Sequence, residues 1–170
     1  MAEDRILFAL HDKTCFIKLV GEATYIKTAG FGCFINDLFS HEQIDDVLVD
    51  LSGTTYIDST NLGELAKIAA FLRQQNSHRP TVVCTDTDMS EMMTGLGLNR
   101  LFVMVDETRE PGVAMSELPE ITLDERENAE RILEAHRYLM SVNDRTGRVF
   151  RSVVDAFERD LGRDDNGQPD

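Results

Sequence analysis

The chain passes from an apolar strand through a polar turn into a helix within residues 49–63, which read VDLSGTTYIDSTNLG. The junction with the helix consists of Asp58, Ser59 and Thr60, three small side chains that carry oxygen. The first N–H groups of a helix lack backbone partners, and such side chains often cap them. A hydroxyl there can also accept a phosphoryl group, because a helix N-terminus tolerates the added negative charge. The residues themselves leave both roles open for Ser59.

The segments on either side of this junction alternate between strand and helix patterns. Two apolar segments, residues 5–10 and 15–20, flank a polar turn and predict a hairpin of two strands. Further strands are predicted at residues 47–51, 81–85 and 101–105, with helices between them at residues 25–39, 60–76 and 89–96. This order predicts the α/β class, with a mixed sheet and helices packed on it. Lys67 and Arg73 lie opposite the apolar stripe of the second helix, which predicts a solvent-exposed face there.

The C-terminal part of the chain predicts a helical hairpin. Thr122 and Glu125 have the spacing of a capping box, and an apolar helical stripe follows them. After a predicted turn at residues 143–147, a second apolar stripe ends at Gly162. We therefore predict a first domain at residues 1–116, a helical extension at 117–163 and a disordered tail at 164–170. The extension could pack back on the sheet, form a homodimer or bind a second partner, and the residues leave these alternatives open.

Composition excludes several classes of partner. The net charge of −14 argues against nucleic acid and anionic membrane surfaces, both of which need a basic patch. Cys15, Cys33 and Cys84 are an odd set without CxxC spacing, and we expect three reduced thiols in the core. Without a long apolar run or a basic leader, a soluble cytoplasmic protein is expected.

Motifs that support catalysis are missing from the sequence. It contains no GxxxxGK[ST] phosphate loop, no GxGxxG turn, no HExxH pair and no GxSxG elbow. The four histidines, His136 among them, are scattered and are interpreted as surface or core residues. We therefore predict no metal, no cofactor and no enzyme activity for this chain.

Residues 50–63 resemble the signature of the STAS domain, in particular that of bacterial anti-sigma factor antagonists. Those proteins typically read D-L-S-G-x-x-[FY]-[IM]-D-S-[ST]-G-L-G, and this chain has DLSGTTYIDSTNLG. The resemblance extends over about residues 4–116 and includes Gly21-Glu22 and the segment LGLNRLF at 96–102. It implies a STAS-type mixed sheet with helices packed on it, to which the C-terminal helical hairpin is an addition.

The resemblance also implies a function. In that family the serine after the aspartate is phosphorylated by an anti-sigma factor that is also an ATP-dependent serine kinase. The unphosphorylated antagonist binds this partner and frees the sigma factor, and a serine phosphatase resets it. Carried over, Ser59 is the phosphoacceptor, with Thr60 as the second candidate. Asp58, Thr60, Asn61 and Glu22 would lie on the docking surface for the partner.

Two departures from the family pattern bear on this expectation. Asn61 stands where the family usually has glycine, and we expect it to add a side chain to the docking surface. The family often reads G-x-[LV]-D after the second strand, whereas this chain has Gly21-Glu22-Ala23-Thr24.

The alternative function is a STAS scaffold or accessory subunit of a larger signalling or transport complex. Such a subunit would bind its partners with an affinity that ignores Ser59.

Overall fold

Within the described part of the chain, a seven-stranded mixed sheet with helices packed on it forms the framework. The computed structural model describes residues 3–76, 78–107 and 110–166. The main strand order is β6-β5-β3-β2-β1-β7, and β4 pairs separately with β2. The predicted α/β class and the mixed sheet are confirmed. The strands are β1 (Arg5–His11), β2 (Thr14–Ala23), β3 (Asp46–Asp50), β4 (Thr54–Ile57), β5 (Thr81–Val83), β6 (Val103–Val105) and β7 (Ser116–Glu117). The helices are α1 (Phe31–His41), α2 (Ser59–Asn76), α3 (Thr87–Gly95), α4 (Glu125–Met140) and α5 (Asp144–Asn166).

The predicted hairpin of β1 and β2 is present, and its turn explains the polar residues between the strands. Asp12 and Lys13 both have positive φ angles, 48° and 63°. A two-residue turn of this kind matches the right-handed twist of the strands that it joins. On the other side of β2, the strands β3, β5 and β6 run parallel to one another, as expected for buried apolar strands separated by helices.

Two short strands were not expected from the sequence. Residues 54–57, read there as part of a polar turn, form β4 and pair in parallel with the end of β2. Gly21 makes this possible, because it adopts φ +79° at an irregularity in the register and donates its N–H to the Gly53 carbonyl. A side chain at Gly21 would overlap the Asp4 carboxylate. The second unexpected strand, β7, pairs with β1.

The helices α1, α2 and α3 start close to their predicted positions, with one difference. The predicted helix at residues 25–39 begins only at Phe31, because residues 25–30 form turns. Helix α2 begins at Ser59, directly after β4 and Asp58. Helix α3 is capped by Asp86, whose carboxylate accepts from the Met89 N–H at 2.8 Å. The placement of α2 brings Ser59 to the same end of the sheet as the close of β2.

The predicted C-terminal hairpin is present, but its details differ from the sequence pattern. The capping box of α4 uses Asp124 and Glu127, so the box predicted at Thr122 and Glu125 is wrong. Asp124 takes the role because its side chain accepts from the Glu127 N–H at 2.8 Å. Helix α5 continues through Gly162 to Asn166, so the predicted helix end at Gly162 is wrong. Residues 164–166, predicted to begin a disordered tail, belong to this helix. Residues 167–170 of that tail lie outside the described residues.

The hairpin packs mainly on helix α2. Helix α4 lies across α2, and α5 packs on α4. Leu139 joins the main apolar core, and the Tyr138 ring makes an edge contact with Phe71 at 5.8 Å. Thr146, at the start of α5, donates its hydroxyl to the Leu96 carbonyl at 2.7 Å. Packing within the molecule is therefore what the structure shows for the extension, while dimerisation and a second partner stay predictions.

Helix α2 is covered on the side that was expected to face solvent. Lys67 and Glu64 are both fully buried, which contradicts the prediction that Lys67 lies on an exposed face. The reason is that α4 lies over this face and supplies charged partners for both residues. The polar pattern of α2 therefore indicates a contact with another helix and not a face exposed to solvent. Arg73, near the end of α2, remains exposed.

The cysteines and the helices bear on two further expectations. Cys15 and Cys84 are buried, and burial raises the pKa of the Cys15 thiol to about 12, so this thiol is unreactive. Cys33 is exposed on α1, so the expectation of three core thiols is wrong for this residue. Within the part of the chain that the structure describes, no helix combines the length and apolar character needed to cross a membrane.

Candidate functional site around Ser59

Asp58, and not Ser59, caps helix α2. The Asp58 Oδ1 atom accepts from the Asn61 N–H at 2.9 Å, which is the usual contact between an N-cap residue and the third residue of a helix. Its Oδ2 atom accepts from the Tyr25 N–H at 2.6 Å and so ties the helix start to the turn after β2. The Asp58 N–H in turn donates to the Ala23 carbonyl at 3.0 Å. Because the capping role is taken, the hydroxyl of Ser59 is not needed to start the helix.

The hydroxyl of Ser59 is instead bound to a histidine of the C-terminal hairpin. Ser59 Oγ lies 2.9 Å from Nε2 of His136 in α4. The other ring nitrogen, Nδ1, lies 2.7 Å from the Ile132 carbonyl oxygen. A carbonyl oxygen can only accept, so Nδ1 carries the proton and Nε2 accepts from the Ser59 hydroxyl. Ser59 is thus half-buried and engaged in the structure described.

The environment of His136 favours the neutral ring that this hydrogen bond requires. The side chain is almost completely buried and makes an edge contact with the Phe150 ring of α5, with 5.6 Å between the ring centroids. Burial lowers the pKa of His136, although the Ile132 carbonyl and the charge of Asp58 act in the opposite direction. An uncharged imidazole can accept a hydrogen bond from the Ser59 hydroxyl, so the geometry and the protonation state of this pair agree.

Asn61 belongs to the interior of the site. Its side chain is fully buried, and its Nδ2 donates to the Ala23 carbonyl at 3.0 Å and to Asp58 Oδ1 at 2.9 Å. Its Oδ1 accepts from the Thr28 hydroxyl at 2.8 Å. The expectation that Asn61 adds a side chain to the docking surface is therefore wrong in this conformation. The residue locks the start of α2 to the end of β2, a contact that a glycine could not make.

Thr60 and Glu22 occupy opposite situations in the structure. Thr60, the second candidate phosphoacceptor, is buried with only 4% of its surface exposed. Glu22 is exposed at the end of β2 and accepts from Lys27 Nζ at 2.8 Å. Lys27 also pairs with Asp4, and both contacts raise the pKa of Lys27. Of the predicted docking residues, Glu22 and Asp58 thus have side chains that reach the surface.

Sequence reasoning missed an exposed apolar group beside the site. Ile26 is 67% exposed and Tyr56 is 54% exposed, both at the end of the sheet where α2 begins. Tyr25 is partly exposed next to Ile26 and donates its N–H to Asp58. The turn after β2 and the strand β4 carry these residues, and β4 itself was not predicted. Large exposed apolar side chains near a polar site are typical of protein interaction surfaces.

A buried network of charges holds α4 against α2. Lys67 Nζ lies 3.0 Å from Glu64 Oε2 and donates to Glu134 Oε1 at 2.7 Å. Arg131 of α4 pairs with Glu64 Oε1 at 3.7 Å and donates from Nη1 to the Tyr25 carbonyl at 2.8 Å. Burial raises the pKa of the Glu64 carboxyl, and the charges of Lys67 and Arg131 oppose this shift.

Close approach of the two helices depends on Gly63. A methyl group at this position would overlap the carbonyl oxygen of Ala135 in α4. The two backbones can lie this close because Gly63 has no side chain, and Ala135 is fully buried at this contact. Helix α4 therefore covers the first two turns of α2, which is the segment that carries Ser59.

Comparison with known proteins agrees with this fold. The sequence profile of the STAS domain matches residues 5–110. A structure of the anti-sigma factor antagonist SpoIIAA in its unphosphorylated form is similar at 16% identity, with a TM-score of 0.51, over 60% of this chain and 87% of that one. A structure of the Bacillus cell fate determinant SpoIIAA in the phosphorylated form is similar at 18% identity, with a TM-score of 0.50, over 60% of this chain and 92% of that one.

At these identities the structural likeness concerns the fold, and a search of curated proteins finds no match. The matched profile ends at residue 110, before the helices α4 and α5. It covers more than half of the chain and includes the strand, the turn and the helix start around Ser59. The chain belongs to the STAS domain family.

Proposed function

We propose that this protein is an anti-sigma factor antagonist of a bacterial partner-switching pathway, controlled by phosphorylation of Ser59. In its unphosphorylated form it binds an anti-sigma factor that is also a serine kinase, and it releases this partner once Ser59 is phosphorylated. A serine phosphatase resets the switch. The catalytic groups and the ATP belong to the kinase, so the chain acts in the cytoplasm as a regulated binding protein and not as an enzyme.

The observation that carries this proposal is the division of roles between Asp58 and Ser59. Asp58 holds the cap of α2, so Ser59 can change its chemistry without loss of the helix start. A phosphoserine at the first position of a helix meets the positive end of the helix dipole, which favours the added charge. Phosphorylation would therefore leave the start of α2 in place. The exposed Ile26 and Tyr56 beside this position supply apolar contact area for a partner.

The test begins with full-length baits that carry Ser59→Ala or Ser59→Glu, used in the native organism. Proteins that carry an ATP-binding kinase domain and are held by the alanine bait but lost from the glutamate bait are the expected partners. The purified kinase is then incubated with wild-type chain, Ser59→Ala and Thr60→Ala in the presence of ATP, and the modified residue is located by mass spectrometry. Phosphate on Ser59 in wild type and in Thr60→Ala, and none in Ser59→Ala, supports the proposal. Phosphate that persists in Ser59→Ala contradicts it.

A second candidate function is a STAS scaffold or accessory subunit without a working switch. The observation that favours it is that the Ser59 hydroxyl is half-buried and bonded to His136. A scaffold would form a stable complex that does not depend on Ser59. Equal recovery of the same partners on both baits, with no kinase activity toward Ser59, would select this alternative over the switch.

A further inference from the structure

The contact between α2 and α4 has the composition of a protein surface, although it lies inside the molecule. Glu64 and Lys67 of α2 are completely buried, and Arg131 of α4 is 9% exposed. Removing these charges from water is costly, and an ion pair of this kind adds little net stability compared with an apolar contact. A permanent helix contact gains most from apolar side chains, whereas interfaces that form and separate are more polar.

The apolar anchors of the hairpin lie apart from this polar contact. Leu139 is fully buried in the main core, and Tyr138 packs on Phe71 in the second half of α2. Thr146 and Asn143 bind the Leu96 carbonyl. The polar contact instead covers the first two turns of α2, around Ser59 and Gly63. The chain that leads into α4, residues 118–124, contains neither helix nor strand.

We propose that the face of α2 formed by Ser59, Gly63, Glu64 and Lys67 is a docking surface that α4 occupies within the same molecule, in competition with an outside partner. We call these four residues the α2 face. The inference rests on the proposed function, because it concerns access to Ser59. While α4 is in place, the Ser59 hydroxyl is half-buried and donates to His136, which hinders access by a kinase. Displacement of α4 exposes Ser59 and the rest of the α2 face together.

The contacts of α4 define the chemistry of the partner. The α2 face offers a backbone groove at Gly63, a carboxylate at Glu64 and an ammonium group at Lys67. Helix α4 meets them with a small residue, an arginine and a glutamate: Ala135, Arg131 and Glu134. A partner that replaces α4 is therefore expected to present a helix with a small residue at the crossing point. That helix would carry an arginine about one turn before the crossing point and an acidic residue next to it.

The experiment releases α4 by changes in α4 itself, so that the α2 face stays intact. Arg131→Glu places a carboxylate against Glu64, and Ala135→Leu adds a larger side chain at a fully buried position of α4. Arg126→Glu is the matched control, since it is the same charge reversal at an exposed position of α4 that pairs with Glu130. Amide hydrogen exchange of the full-length chains reports release, with at least tenfold faster exchange in residues 125–136 of the first two variants only.

The probe for the docking surface is a fluorescein-labelled peptide with the sequence of residues 122–142, and its binding is followed by fluorescence anisotropy. We expect it to bind the Arg131→Glu and Ala135→Leu chains at least tenfold more tightly than wild type or Arg126→Glu. The same peptide with Arg131→Glu should lose this binding. Released chains that bind the peptide no better than wild type contradict the docking surface. Unchanged exchange in both release variants contradicts the displaceable helix.

This outcome is separable from that of the proposed function, because neither exchange nor peptide binding requires a kinase. Peptide binding without any phosphorylation of Ser59 would support the docking surface and contradict the phosphorylation switch. A kinase that modifies Ser59 at the same rate in wild type and in the released chains would keep the switch and remove the covering role of α4.

Discussion

Ser59 donates its hydroxyl to Nε2 of His136 across 2.9 Å, although the two residues are 77 positions apart in the sequence. This hydrogen bond connects the junction that marks the STAS domain to a helix that lies outside the matched region. The contact of Nδ1 with the Ile132 carbonyl determines the tautomer of His136 and leaves Nε2 as the acceptor for Ser59. The proposed phosphorylation of Ser59 would require that this bond be broken, so it would couple the state of the serine to that of the hairpin.

The coupling of α4 to α2 is tested most directly at Gly63. Gly63→Ala adds a methyl group that would overlap the Ala135 carbonyl, and overpacking of this kind costs about 1 to 3 kcal/mol. Alanine also favours the helix itself, so α2 is expected to stay folded. We expect faster amide exchange in α4, measured on the full-length chain. Gly162→Ala in α5 is the matched control, because a methyl group there meets nothing within 4 Å. Equal exchange in the two variants would rule out the close helix contact.

The capping role of Asp58 predicts a larger stability loss than the loss of an ordinary cap. Removal of an aspartate cap costs about 0.5 to 2 kcal/mol. Asp86→Ala in α3 provides this reference, because Asp86 makes the same contact with the third residue of its helix. Asp58→Ala also frees the buried amide of Asn61 and the Tyr25 N–H, so we expect about 1 to 2 kcal/mol more. Urea unfolding of the two variants measures the difference, and equal losses would argue against the extra contacts.

The buried charges predict that the stability of the chain depends strongly on the pairing of Glu64 with Lys67. Lys67→Met leaves the Glu64 carboxylate buried without its nearest cation, and such a loss costs about 3 to 5 kcal/mol. Addition of Glu64→Gln to Lys67→Met removes the uncompensated charge and is expected to restore part of the stability. Arg137→Met is the control, because Arg137 and Glu158 form an exposed pair at 2.9 Å that contributes about 1 kcal/mol or less. A double variant less stable than Lys67→Met would contradict this account.

The protonation of His136 predicts a pH dependence of stability. Burial lowers the pKa of His136 below its ordinary value of 6.5 in the folded chain. A group whose pKa is lowered on folding contributes stability that is fully present above pH 6.5 and is lost as the pH falls through the lower folded value. We expect the urea concentration at the unfolding midpoint of wild type to decrease when the pH is lowered from 7 to 5. The midpoint of His136→Gln should decrease less. Glu64, whose pKa burial raises, acts with the opposite sign, so the comparison of the two chains isolates His136.

Local patterns in the sequence determined the hairpin, the parallel strands and the start of α2. Apolar periodicity and turn residues report which face of a strand or helix is buried, and both are properties of neighbouring residues. The same patterns placed Asp58 and Ser59 at the junction of strand and helix. Which of them caps the helix is shown only by the contact of Asp58 with the Asn61 N–H. The short strand β4 escaped prediction because four residues are too few to show a period, and its pairing depends on the distortion at Gly21.

Only the tertiary structure decided what covers α2. The residues Glu64 and Lys67 have the pattern of a solvated helix face, yet both are buried by charged partners from α4. Such a contact depends on the match between two helices far apart in the chain, and no local period encodes that match. His136 likewise fits the helical stripe of α4, but its position at Ser59 follows from the crossing of the helices at Gly63. The sequence by itself therefore determined the fold and the candidate serine, while the packing of the hairpin decided that this serine is covered.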